Sequence, residues 1–557
     1  MSAPVRRKAP RAEAARTDLP ADPSAVLLKG GLIVDGTGAV GYPGNVLIRE
    51  GRIARMGPGQ IRWNGLTIDC TGKAVCPGFI DAHSHLDWHL PLRGRDELKL
   101  PFTAQGVTSL VAGNCGFSAA GFRESSAHRD RIEDNIFHAG FLKPAWDSVE
   151  QYFSFLASQG LSHNLALLAG HGTTRMSLRG LDHSPLHPYE SLEMLRLLES
   201  AMDQGARGVS LGLQYEPGMY APREEIVSVA KLVHRKDGIL SVHLRSYSAL
   251  SMSYPLRFLG EPHNLIALRE ALDVARESGV RLQISHLGFA GNGTWRTRDR
   301  ALGMLDEARR QGVDVAFDAR PFPCGASSIG AILPPWFLAR VPDVLKDRRL
   351  MRRACRDLGR IRRLHGFGCS DIQVSDAREP DLKRYDGMFL PQIARLRHTT
   401  VEQVALEFAC RTRGLARVLC HRLGDDSTLD ALIRHPAALF ISGAWVENGG
   451  IQDPGAFGAF PRFLRLARER GLVSMEEAVR KMTGSAADRF HLAQRGVLRA
   501  GGPADVVVFD PETVSDRETE DGRPAGPEGI EYVFLNGRKV ISCGRHEGAP
   551  GHGMTLT

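Results

Sequence analysis

The sequence predicts an α/β protein: a (β/α)8 barrel joined to a small β domain assembled from both chain ends. First, apolar strand-like segments (VTSLVAG, NLALLAG, ARGVSLGL, GILSVHL, VRLQISHL, VDVAFDARP and ALFISGA) alternate with amphipathic helical segments such as SLEMLRLLESAMDQG. That alternation over roughly 400 residues is the pattern of βα units, and a closed barrel is the commonest single-domain solution at that size. Second, the stretch from Ala25 to Cys76 holds only short β-type runs, VLLKGGLIVDG, NVLIREGRIARMG and LTIDCTGKAV, separated by Gly-containing turns. Third, the same texture returns near the end in ADVVVFDP and GIEYVFLNGRKVI, where Asn536-Gly537 is a hairpin signal. A doubly wound open sheet is the alternative arrangement for the middle of the chain.

In order along the chain, residues 1–24 are rich in Ala, Pro and Arg without an apolar h-region, so they read as a disordered tail and not a secretory signal. Residues 25–78 and 495–545 form the β domain, and residues 79–494 the barrel. The stretch around 329–434 is longer than one βα unit needs and contains the loop-like SDAREPDLKRYDG, which marks an insertion. Residues 546–557 read as a flexible tail.

The 557 residues carry Lys+Arg 71 against Asp+Glu 63, a net charge of +8, with no long basic block. Nucleic acid is therefore not an expected partner. Apolar stretches are interrupted by charge or Gly well before about 18 residues, which argues against membrane spans. Nine Cys, an odd number without paired C-x-x-C spacing, fit neither a disulfide framework nor a zinc finger, and suit a reducing, cytoplasmic compartment.

The segment PGFIDAHSHLDWHL places His83 and His85 at i, i+2 on a β-type run, so alternation sends both imidazoles to one face. Alone, H-x-H reads as a pair of barrel-lining histidines. Cys115 in SLVAGNCGFS, His243 in LSVHLRS and His286 in LQISHLG also fall where strands end, the end at which a barrel carries its chemistry. Neutral imidazoles and a thiolate are ligands that zinc prefers, whereas magnesium or calcium would want oxygens.

With these motifs in place, the chain resembles the amidohydrolase superfamily and, within it, the D-aminoacylase (N-acyl-D-amino-acid deacylase) family. The similarity runs from Leu27 to Ile541 through PGFIDAHSHLD, GVTSLVAGNCG, AGHGTTR, GARGVSLGLQYEPGMYA, VHLRS, QISHLG, FGAFPR, EEAVRKMTGSAADRFHL and RGVLRAGGPADVVVFDPETV, in collinear order. The resemblance implies a β-sandwich beside a TIM-type barrel. It also implies one or two zinc ions held by Cys115, His243 and His286, with His83 and His85 framing the second position, and hydrolysis of a small-molecule amide by zinc-activated water.

The chain also departs from the family pattern. The family ends its eighth barrel strand with Ser-Asp, the Asp handling the proton; here the strand reads HPAALFISGAWVENGG and the matching position is Ala444. Loss of a positioned base typically costs about 10²–10⁴-fold. Glu447 and Asp453 are the nearby acids that could substitute, and Asp87 reads as a partner for a ligating imidazole. Ser370-Asp371 resembles the missing pair but falls inside the insertion. The family lysine after the sixth-strand His is Gly288, its HPR is Asp453-Pro454-Gly455, and its YPY is Arg320-Pro321-Phe322. Arg320 is a possible substitute carboxylate clamp, Arg245 and Tyr215 are expected to line the pocket, and His171 is placed between a supporting and a structural role. Three functions follow as expectations: a zinc-dependent amide hydrolase with an altered pocket, an ordinary N-acyl-D-amino-acid deacylase, or a catalytically silent metal-binding homologue that binds a ligand.

Overall fold

The computed structural model describes residues 25–136, 143–251, 253–254, 260–341, 343–518, 524–548 and 551–557. The tail expected over residues 1–24 lies outside them.

Both chain ends contribute to one nine-stranded sheet. Val26–Ile33, Tyr42–Arg49, Arg52–Gly57, Leu66–Asp69 and Ala74–Pro77 come from the N-terminal side; Val506–Phe509, Ile530–Leu535, Arg538–Ser542 and Arg545–His546 come from the C-terminal side. Ala74–Pro77 joins the two sets, running parallel to Val26–Ile33 and antiparallel to Val506–Phe509. The hydrogen-bond ladder is thus continuous from one set to the other, because this one strand bonds on both edges. One core lies among Val46, Ile48, Ile53, Val506, Val508 and Phe534. The hairpin signal is realised at Asn536 and Gly537, whose φ values of 48° and 79° match the positive dihedrals a two-residue turn demands.

The middle of the chain forms two parallel sheets. The first contains β1 (Phe79–Asp81), β2 (Val107–Ala112) and β3 (Asn164–Leu167); the second contains β4 (Ala169–Gly170), β5 (Gly208–Gly212), β6 (Ile239–His243), β7 (Arg281–Ile284), β8 (Val315–Ala319) and β9 (Ala438–Phe440). Neighbours along each sheet are neighbours in this sequence order. Strands such as Val107–Ala112 are buried at every position, as parallel strands covered on both faces must be. Only Leu168 separates β3 from β4, and Ser442, just beyond β9, donates its N–H to Asp81 at the end of β1 (3.0 Å). Amphipathic helices cover the outside: Val149–Gln159 starts at a Ser148–Gln151 capping box, and His263–Ser278 ends at left-handed Gly279.

The inserted piece has its own antiparallel sheet, with Arg417–Cys420 between Gly325–Ser328 and Ile372–Asp376, and its own apolar core around Phe337, Ile372, Leu390 and Phe408. It therefore starts slightly before residue 329. Helix Asp426–Arg434, expected within it, packs against β9.

The last residues differ from the expected flexible tail. Residues 553–556 run beside β3, with Gly553 N–H donating to Leu161 O (2.8 Å), Leu165 N–H to Met554 O (2.9 Å) and Leu556 N–H to Leu165 O (2.7 Å). Leu556 supplies the apolar anchor that holds this short polar sequence down.

Candidate metal centre

Five side chains singled out in the sequence converge beyond the C-terminal ends of the parallel strands. β1 ends at Asp81, so His83 and His85 lie past the strand and not on it; Ser84 N–H on Val111 O (3.0 Å) nevertheless keeps this stretch beside β2. Their rings are 5.5 Å apart, edge to face. Cys115 sits in the turn after β2, His243 is the last residue of β6, and His286 follows β7 by two residues. Cys115 and His286 hold positive φ angles of 57° and 30°. Non-glycine residues adopt these only at a steric cost, which surrounding structure must over-determine.

Cys115 Sγ is the hub. It lies 3.3 Å from His83 Nε2, 3.5 Å from His243 Nδ1 and 3.4 Å from His286 Nε2. The donor atoms of His83, His85 and Cys115, and those of Cys115, His243 and His286, form two tight groups sharing the thiol. Tetrahedral bonds of about 2.3 Å to sulfur and 2.0–2.1 Å to nitrogen put a sulfur and a nitrogen roughly 3.5 Å apart, the separation seen here.

The far side of the imidazoles sets their tautomers. His83 Nδ1 pairs with Asp318 Oδ2 (2.9 Å), and His243 Nε2 with Gln214 Oε1 (2.9 Å), so each ring donates outward and turns a lone pair toward the thiol. Asp318 is held by the Gln283 amide, and burial pushes its carboxyl up to about 7. Burial, followed by the Arg320 charge, takes His83 down to about 3; burial also carries His85, His243 and His286 well below the usual histidine range. Four neutral imidazoles result. Burial pushes the Cys115 thiol up to about 12, so it keeps its proton until a cation displaces it. His85 Nδ1 is buried with no partner among the described residues. A soft-to-borderline divalent cation fits this donor set.

The supporting residues divide clearly. Tyr215 donates its hydroxyl to Cys115 O (2.8 Å) and lies edge-on to His243 (4.9 Å between ring centres), so it braces the thiol turn. Asp87 accepts from Ala119 N–H (3.0 Å) in the loop after Cys115; it supports that loop and not an imidazole. His171 pairs with Glu225 (2.7 Å), which Arg175 also contacts, in a separate buried network. Arg245 follows His243, the last residue of β6, by two residues, and its guanidinium binds Glu270, Met219 O and Ala221 O.

The acids near Ala444 are engaged elsewhere. Glu447 pairs with Arg417 (3.3 Å), both buried, and Arg417 lies over the Trp445 ring at 4.5 Å. Asp453 binds Arg320 Nη2 through both oxygens (2.8 and 2.7 Å) and accepts from Ala326 and Gly455 N–H groups. Ala444 itself is buried. Ser370 and Asp371 sit in the insertion, where Asp371 accepts from Gly368 N–H (2.9 Å). Trp88 and Trp445 pack on His85, with ring centres 5.0 and 5.3 Å away.

Asp318, Gln214, Arg417 and the two tryptophans were not singled out from sequence. An Asp inside the buried run VAFDA was the one available signal.

The model of the amidohydrolase family matches residues 66–225 and 446–541. A D-aminoacylase from Alcaligenes xylosoxydans xylosoxydans is 30% identical over 531 residues, 94% of this chain and 97% of that protein. The chain belongs to the amidohydrolase family. As such it is a metal-dependent hydrolase of amide C–N bonds. An N-acyl-D-glutamate deacylase from the same organism is 29% identical to this amidohydrolase, covering 93% of each chain. Among solved structures, the N-acyl-D-glutamate deacylase of Bordetella bronchiseptica, complexed with zinc and a phosphonate inhibitor, superposes with a TM-score of 0.79 at 28% identity, covering 95% of this chain and 99% of that one. A D-aminoacylase described as having a binuclear metal centre gives 0.78 at 27% identity, with the same coverage. Among the described residues of this amidohydrolase, no helix is long and apolar enough to cross a membrane.

Proposed function

We propose that this amidohydrolase uses zinc, held by Cys115, His243, His286 and the His83–His85 pair, to cleave the amide of a small N-acylated amino acid. The observation that carries the reading is the Cys115 thiol 3.3–3.5 Å from three imidazole nitrogens, two of whose rings have the outer nitrogen tied to an acceptor. When bound, zinc supplies Lewis acidity to the scissile carbonyl and to water. The chain's own residues do the rest. Asp318 and Gln214 orient the imidazoles, Tyr215 braces the thiol, and Trp88 and Trp445 keep water from His85.

We also infer that the two parallel sheets are arcs of one closed (β/α)8 barrel, with β3–β4 counted as one strand and the gap between β9 and β1 spanned by Ser442 and Asp81. In that reading residues 79–494 are the barrel with its insertion, and residues 25–78 with 495–545 the appended β domain. The relatives are named as deacylases of N-acyl-D-glutamate and N-acyl-D-aspartate, which supports an N-acyl-D-amino acid as the substrate class.

The test is metal content and amine release, measured on wild type and Cys115→Ala. Wild type is expected to hold about one or two zinc ions and to free amine from an N-acyl-D-amino acid panel, and the variant to lose both. A wild type that takes up no metal after zinc supplementation sinks the mechanism.

One observation favours a second reading, ligand binding without turnover. Ala444 carries no proton-transfer group, and Asp453 and Glu447 are each paired with an arginine. A metal-loaded wild type that binds N-acyl amino acids but releases no amine would select that reading.

A further inference from the structure

The inserted piece carries a helix, Arg348–His365, whose outer face runs against the rules that stabilise helices. Residues 346–360 hold seven basic side chains against two acidic ones. The apolar side is accounted for: Ala354 and Leu358 are buried in the core of the insertion, Leu350, Met351 and Cys355 pack against that core, and the helix lies on helix Val401–Arg411. Arg348, Arg349, Arg352, Arg353, Arg356 and Arg360 are left exposed to solvent.

Three features make this face unfavourable for the helix. Arg348, Arg352, Arg356 and Arg360 follow one another at i, i+4, as do Arg349 and Arg353, and like charges at that spacing repel. The first turn holds arginines and no acidic residue, at the end where the helix dipole disfavours cations. Neutralising carboxylates are few. Asp357 lies 3.8 Å from Arg353 and 3.9 Å from Arg360, and Asp347 accepts from the N–H groups of Arg349 (2.8 Å) and Leu350 (3.1 Å). Among the described residues, Arg348, Arg352 and Arg356 form no ion pair. Exposed arginines on the barrel are treated differently: Arg223 pairs with Glu277 (2.7 Å) and Arg276 with Asp273 (2.6 Å). The row of guanidiniums extends about 18 Å along the helix, in steps of about 6 Å. Just before it, Leu345 is 40% exposed, next to Lys346.

We propose that the face from Arg348 to Arg360 docks the protein reversibly on an anionic lipid bilayer. A plane of lipid phosphates engages a straight row of guanidiniums together, and each planar fork can hold a phosphate through two hydrogen bonds. Leu345 meets the apolar boundary below the headgroups; a nucleic acid backbone offers phosphates but no such boundary. The contact is electrostatic and stays on the membrane surface, because the apolar side of the helix is committed to the core of the insertion. It is independent of the metal chemistry proposed above.

The experiment is sedimentation of the zinc-loaded protein with vesicles of phosphatidylcholine, alone or with about 30% phosphatidylglycerol. Binding is expected to the mixed vesicles only, at about 0.1 M salt, with release at about 0.5 M. Arg348→Gln, Arg352→Gln and Arg356→Gln together should lower the partition coefficient on the order of 100-fold, about fivefold for each arginine. Zinc content should hold, and Tm should stay level or rise because like-charged neighbours are removed. A control with the same change in net charge, Arg223→Gln, Arg276→Gln and Arg310→Gln on the exposed surface of the barrel, should remain within about threefold of wild type. No binding to the mixed vesicles, an equal loss in the two triple variants, or displacement from the vesicles by a double-stranded nucleic acid at equal phosphate concentration overturns the proposal.

Discussion

His83 donates Nδ1–H to Asp318 across a buried 2.9 Å contact, and its Nε2 stands 3.3 Å from the Cys115 thiol. The carboxylate thus sets which nitrogen is available to a metal. Asp318→Ala frees the ring to rotate or change tautomer, and removal of such an outer partner typically costs about 10–100-fold in metal affinity. Chelator competition on refolding-competent protein measures this directly. Unchanged affinity would mean that His83 is not a ligand.

Ala444 leads to a gain-of-function prediction. Its Cβ lies near Gly455, in the segment that follows β9. If the centre lacks only a proton carrier there, Ala444→Asp should raise kcat by up to about 10²–10⁴-fold with metal content unchanged. The new carboxylate would lie near Asp453, so a lower Tm is expected as well. Steady-state kinetics and a thermal melt separate the two effects. No gain in kcat would show that proton transfer at this position does not limit the reaction.

The contrast between Cys115 and Arg320 shows what the sequence made legible. Cys115, His243 and His286 each end a recognisable apolar run, and strand chemistry at strand ends is local information. Their partners are not local: Asp318 is 235 residues from His83, and Asp453 is 133 from Arg320. Pairing across such separations depends on which strands become neighbours, which periodicity does not encode. Arg245 likewise meets Glu270, 25 residues away, a partner that strand alternation does not indicate. Glu447 and Asp453 read as available acids because their arginines, Arg417 and Arg320, come from distant segments.

Lys481 supplies a pH prediction. It is almost fully buried, donates to His435 O (2.5 Å) and Ala438 O (3.3 Å) at the start of β9, and lies 5.5 Å from the Phe440 ring. Burial takes it from 10.5 down to about 8. Between these values the unfolded chain binds the extra proton, so stability from this group rises with pH, reaching about 3 kcal/mol once pH passes the unfolded value. Below about pH 8 the full penalty is present. Thermal melts of wild type and Lys481→Met from pH 7.5 to 10 should show the difference between them shifting toward wild type as pH rises. Parallel curves would place the Lys481 titration outside this window.

The C-terminal residues are predicted to add stability without serving the metal centre. Residues 553–556 bond to Leu161 and Leu165, Asn536 holds His552 O (2.7 Å), Arg207 holds Leu556 O (3.2 Å), and Leu556 packs in the cluster with Ile239, Leu439 and Phe490. Leu161 precedes β3, so this attachment lies toward the N-terminal ends of the strands, opposite Cys115 and the histidines. Ending the chain after Gly548 exposes Leu165 N–H and the Leu556 cavity, a loss of about 1.5–3 kcal/mol from the leucine alone. Differential scanning calorimetry should show a lower Tm while zinc content stays at the wild-type level. A truncated chain that also loses zinc would mean that the strand ends are coupled along β3, and that its register depends on the residues bound beside it.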